Sequence, residues 1–129
     1  MKTLTAENDF GRIKQTIALA DIMVDENKSV VDVADSWAVF PRHLQVATSI
    51  ASDGLKNPII VLADGDKYRF VASGGRIQFA VVNGYTHIDS IVLDTEQDVR
   101  DLMVEQAKTE TQYLDAKYIN NWWEEKNEV

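Results

Sequence analysis

Apolar residues recur at three- and four-residue spacings across residues 5–24, placing Phe10, Ile13, Ile17, Ala20 and Val24 on one face of an expected helix. Thr5 can cap that helix, with Asn8 three residues on, while Gly11 weakens its first turn. A polar stretch, Asp25-Glu26-Asn27-Lys28, follows. Residues 29–40 carry two patterns at once. Val31, Val33 and the β-branched content fit a strand, whereas Val30, Val33, Ala34 and Trp37 fit a helical face, and pattern alone does not decide between them. Pro41 sets a boundary, because it pushes Phe40 away from helical angles. A helix is expected from there to Gly54, with Leu44, Ala47, Ile50 and Ala51 as its buried stripe and Gly54 as its cap.

The period then changes. Pro58 opens a continuous apolar run, Ile59-Ile60-Val61-Leu62, of the kind buried on both faces inside a sheet. Asp64-Gly65-Asp66 marks a hairpin turn. Tyr68, Phe70 and Ala72 alternate with Arg69 and Val71 along a second strand at residues 67–72. Ser73-Gly74-Gly75 breaks that strand. Residues 76–83 form a short helix with Phe79, Ala80 and Val82 available to pack, and residues 87–93 return as a strand. Thr95 can cap a helix over residues 96–108, with acids in its first turn and Val99, Leu102, Met103 and Ala107 facing inward. A last helix is expected over residues 112–125, with Leu114, Tyr118, Ile119 and Trp122 on one side. These elements predict an α+β fold spanning residues 1–129, a single compact domain with a small mixed sheet and flanking helices.

Composition narrows the classes. A chain of 129 residues with 45% apolar content can build one core unaided. The absence of cysteine excludes disulfides, thiolate metal sites and cysteine nucleophiles. The first residues lack the apolar segment of a secretory signal, and no apolar run reaches membrane-spanning length. A cytoplasmic protein without membrane association is therefore expected. The formal net charge of -8 is unevenly spread. Residues 29–88 hold five basic and five acidic side chains, whereas residues 89–129 hold four and eleven, a net of -7. Such a field repels duplex DNA and suits either a solvated face or a basic protein partner, from the host or a second copy.

One stretch, SIASDGLKNPIIVLADGDKYRFVASGGRIQFAVVNGYTHIDSIVL, resembles the N-terminal module of ParB-like and sulfiredoxin-like proteins. The positions that carry the resemblance are Ser49-Ile50, Gly54-Leu55, Pro58-Ile59-Ile60-Val61, Gly65, Tyr68, Val71, Arg76, Ala80, Gly84 and Ile91, within residues 43–94. The resemblance implies a ParB/sulfiredoxin-like core and a phosphate-binding box ending in arginine. In that family the box holds nucleotide phosphates, and in some enzymes it takes part in phosphoryl chemistry. It reads Gly-Glu-Arg-Arg or Gly-x-His-Arg. With Arg76 on the last position, Ser73, Gly74 and Gly75 stand on the preceding three, so the acid and the penultimate arginine or histidine are missing. The implied function is a non-catalytic accessory module that takes a nucleotide, such as a nucleoside triphosphate with magnesium, at Ser73, Gly74, Gly75 and Arg76. ParB-like partition proteins bind DNA through a separate helical domain. The roughly 35 residues that remain here are acidic, so direct duplex DNA binding is not expected.

The residues of this box support the same chemistry on their own terms. Two glycines can turn backbone N–H groups toward a ligand, the next helix presents its positive end, and Arg76 adds a bidentate donor. The alternative is a tight strand-to-helix bend with Arg76 paired to a surface acid. Elsewhere, His87 and Asp89 could share a strand face as a catalytic pair, and Asp64 and Asp66 could serve a phosphate-borne magnesium ion. The adjacent tryptophans Trp122 and Trp123, beside Glu124 and Glu125, form a candidate partner surface. Two further functions are thus kept open. One is an acidic interaction or inhibitory factor of a phage, plasmid or other mobile genetic element. The other is a small nucleotide-dependent kinase or nuclease.

Overall fold

Six strands and four helices alternate along residues 2–39 and 41–106, which the computed structural model describes. Ala107, the expected helix at residues 112–125, and Trp122, Trp123, Glu124 and Glu125 lie outside the described residues. The apolar run after Pro58 becomes β4 (Ile59–Asp64), an interior strand of the sheet. It pairs in parallel with β6 (His87–Leu93) and antiparallel with β5 (Lys67–Phe70), with Asp64 opposite Lys67 across a two-residue turn. Gly65 fills the first turn position at φ 63°, where a tight hairpin favours glycine. β3 (Ile22–Met23) extends the sheet in parallel beyond β5.

The other side of β6 is completed from the N-terminal residues. Ile88 pairs with both β1 (Thr3–Leu4) and β2 (Gln15–Ala18), and Ser90 pairs with both β2 and β4. A strand residue has only two sides, so β1 and β4 follow one another along one edge of β6, and β2 takes the opposite edge. The result is an α+β fold with one mixed sheet.

Side-chain alternation divides the interior into two layers. Ile59 and Val61 join Ile88, Phe70, Trp37, Ile50 and Ile77 beneath α1 (Val30–Val33), α2 (Pro41–Asp53) and α3 (Gly74–Val82). Ile60 and Leu62 join Ile91, Leu93, Val99, Leu102 and Met103 beneath α4 (Glu96–Gln106). Thr95 caps α4 as expected, its Oγ1 accepting the Asp98 N–H at 3.1 Å.

Some expectations are corrected, and one open pattern is settled. Residues 5–24 are not a helix but strands joined by a turn and a 3-10 segment at Leu19–Asp21. The helical spacing misled because Ile13 is 85% exposed, while Phe10 at φ 54° and Gly11 at φ 72° reverse the chain there. Residues 30–39 are helical, as one of the two open patterns allowed: α1 continues into a 3-10 segment (Ala34–Val39), with Val30, Ala34 and Trp37 buried. Finally, α2 is rotated relative to the expected stripe. Leu44 is 70% exposed and Ala51 is exposed, while His43, Val46 and Ile50 turn inward, because α3 packs on that side. In α3, Ala80 is buried and Phe79 packs against the core as expected, Ile77 and Gln78 are buried as well, and Val82 is exposed.

Candidate functional site

The residues of the box do not play the parts their types suggest. The left-handed residue is Ser73, at φ 70° and ψ 35°, not either glycine. Gly74 and Gly75 are already helical and are small because α2 presses on them. A Cβ on Gly74 would lie 3.1 Å from His43 Nε2, and one on Gly75 would lie 3.1 Å from Val46 Cβ. Position 74 is thus filled by a neighbour's imidazole. His43 Nδ1 donates to Gln78 Oε1 at 2.8 Å, since an amide oxygen can only accept. Its ring stands edge-on to Trp37, which in turn tilts against Phe70.

Arg76, one residue further along α3, reaches a cleft of about 810 Å³. One wall comes from α2 and its C-terminal turn, with Val46, Ser49, Ile50 and Gly54. The N-terminal segment also lines it with Glu7, Asn8, Asp9, Phe10 and Gly11, as do Leu55, Lys56 and Asn57. Parallel pairing holds these two segments together. Ala6 bridges Leu55, Glu7 N–H donates to Leu55 O at 3.1 Å, and Asn8 N–H donates to Lys56 O at 2.8 Å. Asn8 Nδ2 then donates to Asn57 Oδ1 at 2.8 Å. The turn beyond is closed by Gly11 N–H donating to Asp9 Oδ1 at 2.9 Å.

Asp89 anchors the base of this wall. Its carboxylate is buried in β6, where Oδ2 accepts the Ala6 N–H and Oδ1 accepts the Thr16 hydroxyl, each at 3.0 Å. Lys14 Nζ lies 3.9 Å from Oδ2 and donates to Ala6 O. These bonds explain a buried carboxylate without any catalytic role.

The electrostatics of the cleft centre on Arg76. Its Nη1 is sealed from solvent, and burial lowers the guanidinium pKa to about 10. The cause is desolvation, which penalises the charged form. Glu7 and Asp9 against Lys56 and Arg76 make the lining formally neutral.

Of the four box residues, only Arg76 borders this cleft. His87 Nδ1 meets the Thr86 hydroxyl at 2.8 Å, and Asp89 is engaged with the N-terminal strands, so the pair suggested by sequence is not assembled. Asp64 Oδ2 accepts Arg69 Nε at 3.1 Å across the hairpin, and neither it nor Asp66 lines the cleft. His43 borders a separate groove of about 170 Å³ with Leu44, Phe79 and Val82. Among the described residues no three His, Asp or Glu side chains gather as a metal site, and no helix is long and apolar enough to cross a membrane.

Sequence reasoning overlooked Asn8, Phe10, Lys56 and Asn57, which reach the cleft through the parallel pairing of distant segments. A signal was present nonetheless. Ser49, Ile50, Gly54 and Leu55, which carried the resemblance beside Arg76, all line the same cleft.

No family model matches the chain, and no curated protein matches it. Among solved structures, sulfiredoxin from Arabidopsis thaliana is similar over 69% of this chain and 94% of its own length, at 15% identity and a TM-score of 0.49.

Proposed function

We propose that the protein is a binding module for a nucleotide or another phosphorylated small molecule, held by its anionic end at Arg76. One observation carries this reading: a largely desolvated guanidinium lies on the wall of a cleft large enough for such a ligand. A phosphate oxygen pair offers the bidentate acceptor that guanidinium geometry matches. Its negative charge would offset the desolvation that depresses the Arg76 pKa. The first turn of α3 adds its positive end beside the arginine, at residues 73–76.

The role is binding rather than turnover. Neither histidine borders the cleft, and Ser49 on its wall has no imidazole beside it there. A magnesium ion would arrive on the ligand's phosphates, and Glu7 and Asp9 are the carboxylates on the cleft that would meet it. Thermal unfolding in the presence of CTP, ATP, ADP and pyrophosphate, with and without magnesium, tests the proposal. At least one of these anions should raise the unfolding midpoint of the native chain. A folded protein indifferent to all of them would remove the reading.

A further inference from the structure

We infer that the face between α2 and α3 docks a second copy of this chain, through the groove that Leu44 and Val82 border. The contact is separate from the Arg76 cleft and stands whether or not that cleft takes an anion.

Exposure is the first reason. Leu44 on α2 is 70% exposed and Val82 on α3 is 61% exposed, and both border one groove of about 170 Å³ with Ala47 and Phe79. Single apolar residues scattered over a surface are ordinary. Two large ones that meet across a groove mark a contact face. The exposed Ile13, Val31 and Val104 lie on other segments of the chain.

Charge selects the partner. With histidine neutral, the sequence has no charged residue from His43 to Ser52 or from Ile77 to Ile88, so none lines the groove. Lys2, whose Nζ donates to Asn83 O at 2.9 Å, stands at its border, a cation that does not oppose an acidic neighbour. A nucleic acid or a basic protein finds nothing to pair with on such a face. Another uncharged apolar face fits it, since the cores of protein interfaces are depleted in charge. A second copy brings a net charge of -8 with it, so it approaches best where its acids stay distant. The α2–α3 face meets that condition. α4, with Glu96, Asp98, Asp101 and Glu105 against Arg100, covers the opposite side of the sheet. A helix is about 10 Å across, so a pair joined at α2 and α3 holds its two α4 layers apart by more than the Debye length of about 8 Å at physiological salt. A two-fold axis sets the same patch on both sides, so Leu44 and Val82 of one copy meet the same two side chains in the other.

Sedimentation of the full chain at rising concentration tests this. The mass should climb from 14.5 kDa toward twice that value at concentrations on the order of 100 µM, as suits a small interface. Leu44→Asp and Val82→Asp should each weaken the dimer by at least about tenfold, because each sets a carboxylate against its own twin. Both positions are largely exposed, so thermal unfolding should show both variants folded. Added salt should strengthen association of the native chain, because it screens the repulsion and leaves the apolar contact intact. That readout needs no variant. A chain that stays monomeric throughout would overturn the proposal and leave the groove to another protein or to residues 107–129. So would a dimer that either folded variant leaves unchanged, or one that salt dissociates.

Discussion

Gly75 in α3 faces Val46 of α2 with no room for a side chain between them. A methyl group added at position 75 would fall 3.1 Å from Val46 Cβ and 3.2 and 3.3 Å from its two γ-carbons. This contact brings the start of α3 onto α2, and the next residue, Arg76, shares a cleft wall with Val46, Ser49 and Ile50. Gly75, which sequence alone assigns to a ligand's backbone contacts, thus also has a packing role against α2.

Gly75→Ala should destabilise the fold by about 1–3 kcal/mol, because Val46 Cβ is fixed to the α2 backbone and cannot rotate away. Gly74→Ala crowds the edge of the His43 ring, which can shift at the cost of its bond to Gln78, and makes ordinary contact with Phe70. The gain in helix propensity, about 1 kcal/mol, offsets much of that loss. Urea unfolding of the two variants should thus separate them, with Gly75→Ala the weaker protein. Adding Val46→Ala should recover part of the Gly75→Ala loss, a coupling that two independent sites would not show.

Asp89→Ala should cost about 2–4 kcal/mol, since it leaves the Ala6 N–H and the Thr16 hydroxyl without their acceptor. The damage should concentrate on the wall that Asp89 anchors. Hydrogen exchange should quicken at Glu7 and Asn8, whose amides bond to Leu55 and Lys56, before it quickens in β4.

Much of the segment from Pro41 onward could be read from sequence, because its signals are local. Gly54 ends α2, Gly65 turns the hairpin, and the unbroken apolar run of β4 has few other uses. The N-terminal strands could not be read in that way. β1 and β3 hold two residues each, too few for alternation to show, and Ile17 is inward only because it faces Ile88 from across the sheet. The site divides along the same line. Arg76 was visible through its position after the glycines. Asn8, Phe10 and Asn57 were not, since their wall exists only once distant segments pair.

Arg76→Met should keep the fold while weakening anion binding by at least about tenfold, because it removes the guanidinium and leaves an apolar chain of similar length. Unfolding curves and ligand titration on the same variant check the two halves. A loss of both stability and binding would instead make Arg76 a structural anchor.

The depressed Arg76 pKa also fixes a pH dependence. A base whose folded pKa lies below its ordinary value carries its desolvation penalty in full below about 10, and that penalty lifts as pH rises from there toward the ordinary guanidinium range. Anion binding needs the charged form, so affinity should hold near neutral pH and fall as pH passes about 10. An affinity that is flat across that range would mean that another group holds the anion. An anion bound beside the guanidinium should raise its pKa and move the fall to higher pH.

The most direct measurement is isothermal titration of nucleoside triphosphates into the native chain and into Arg76→Gln, with folding of both confirmed by thermal unfolding. The account predicts binding to the native protein and a loss of at least about tenfold in the variant, in line with removal of a charge-assisted contact. Equal affinity in both proteins, or no heat from any nucleotide with the folded native chain, would contradict it.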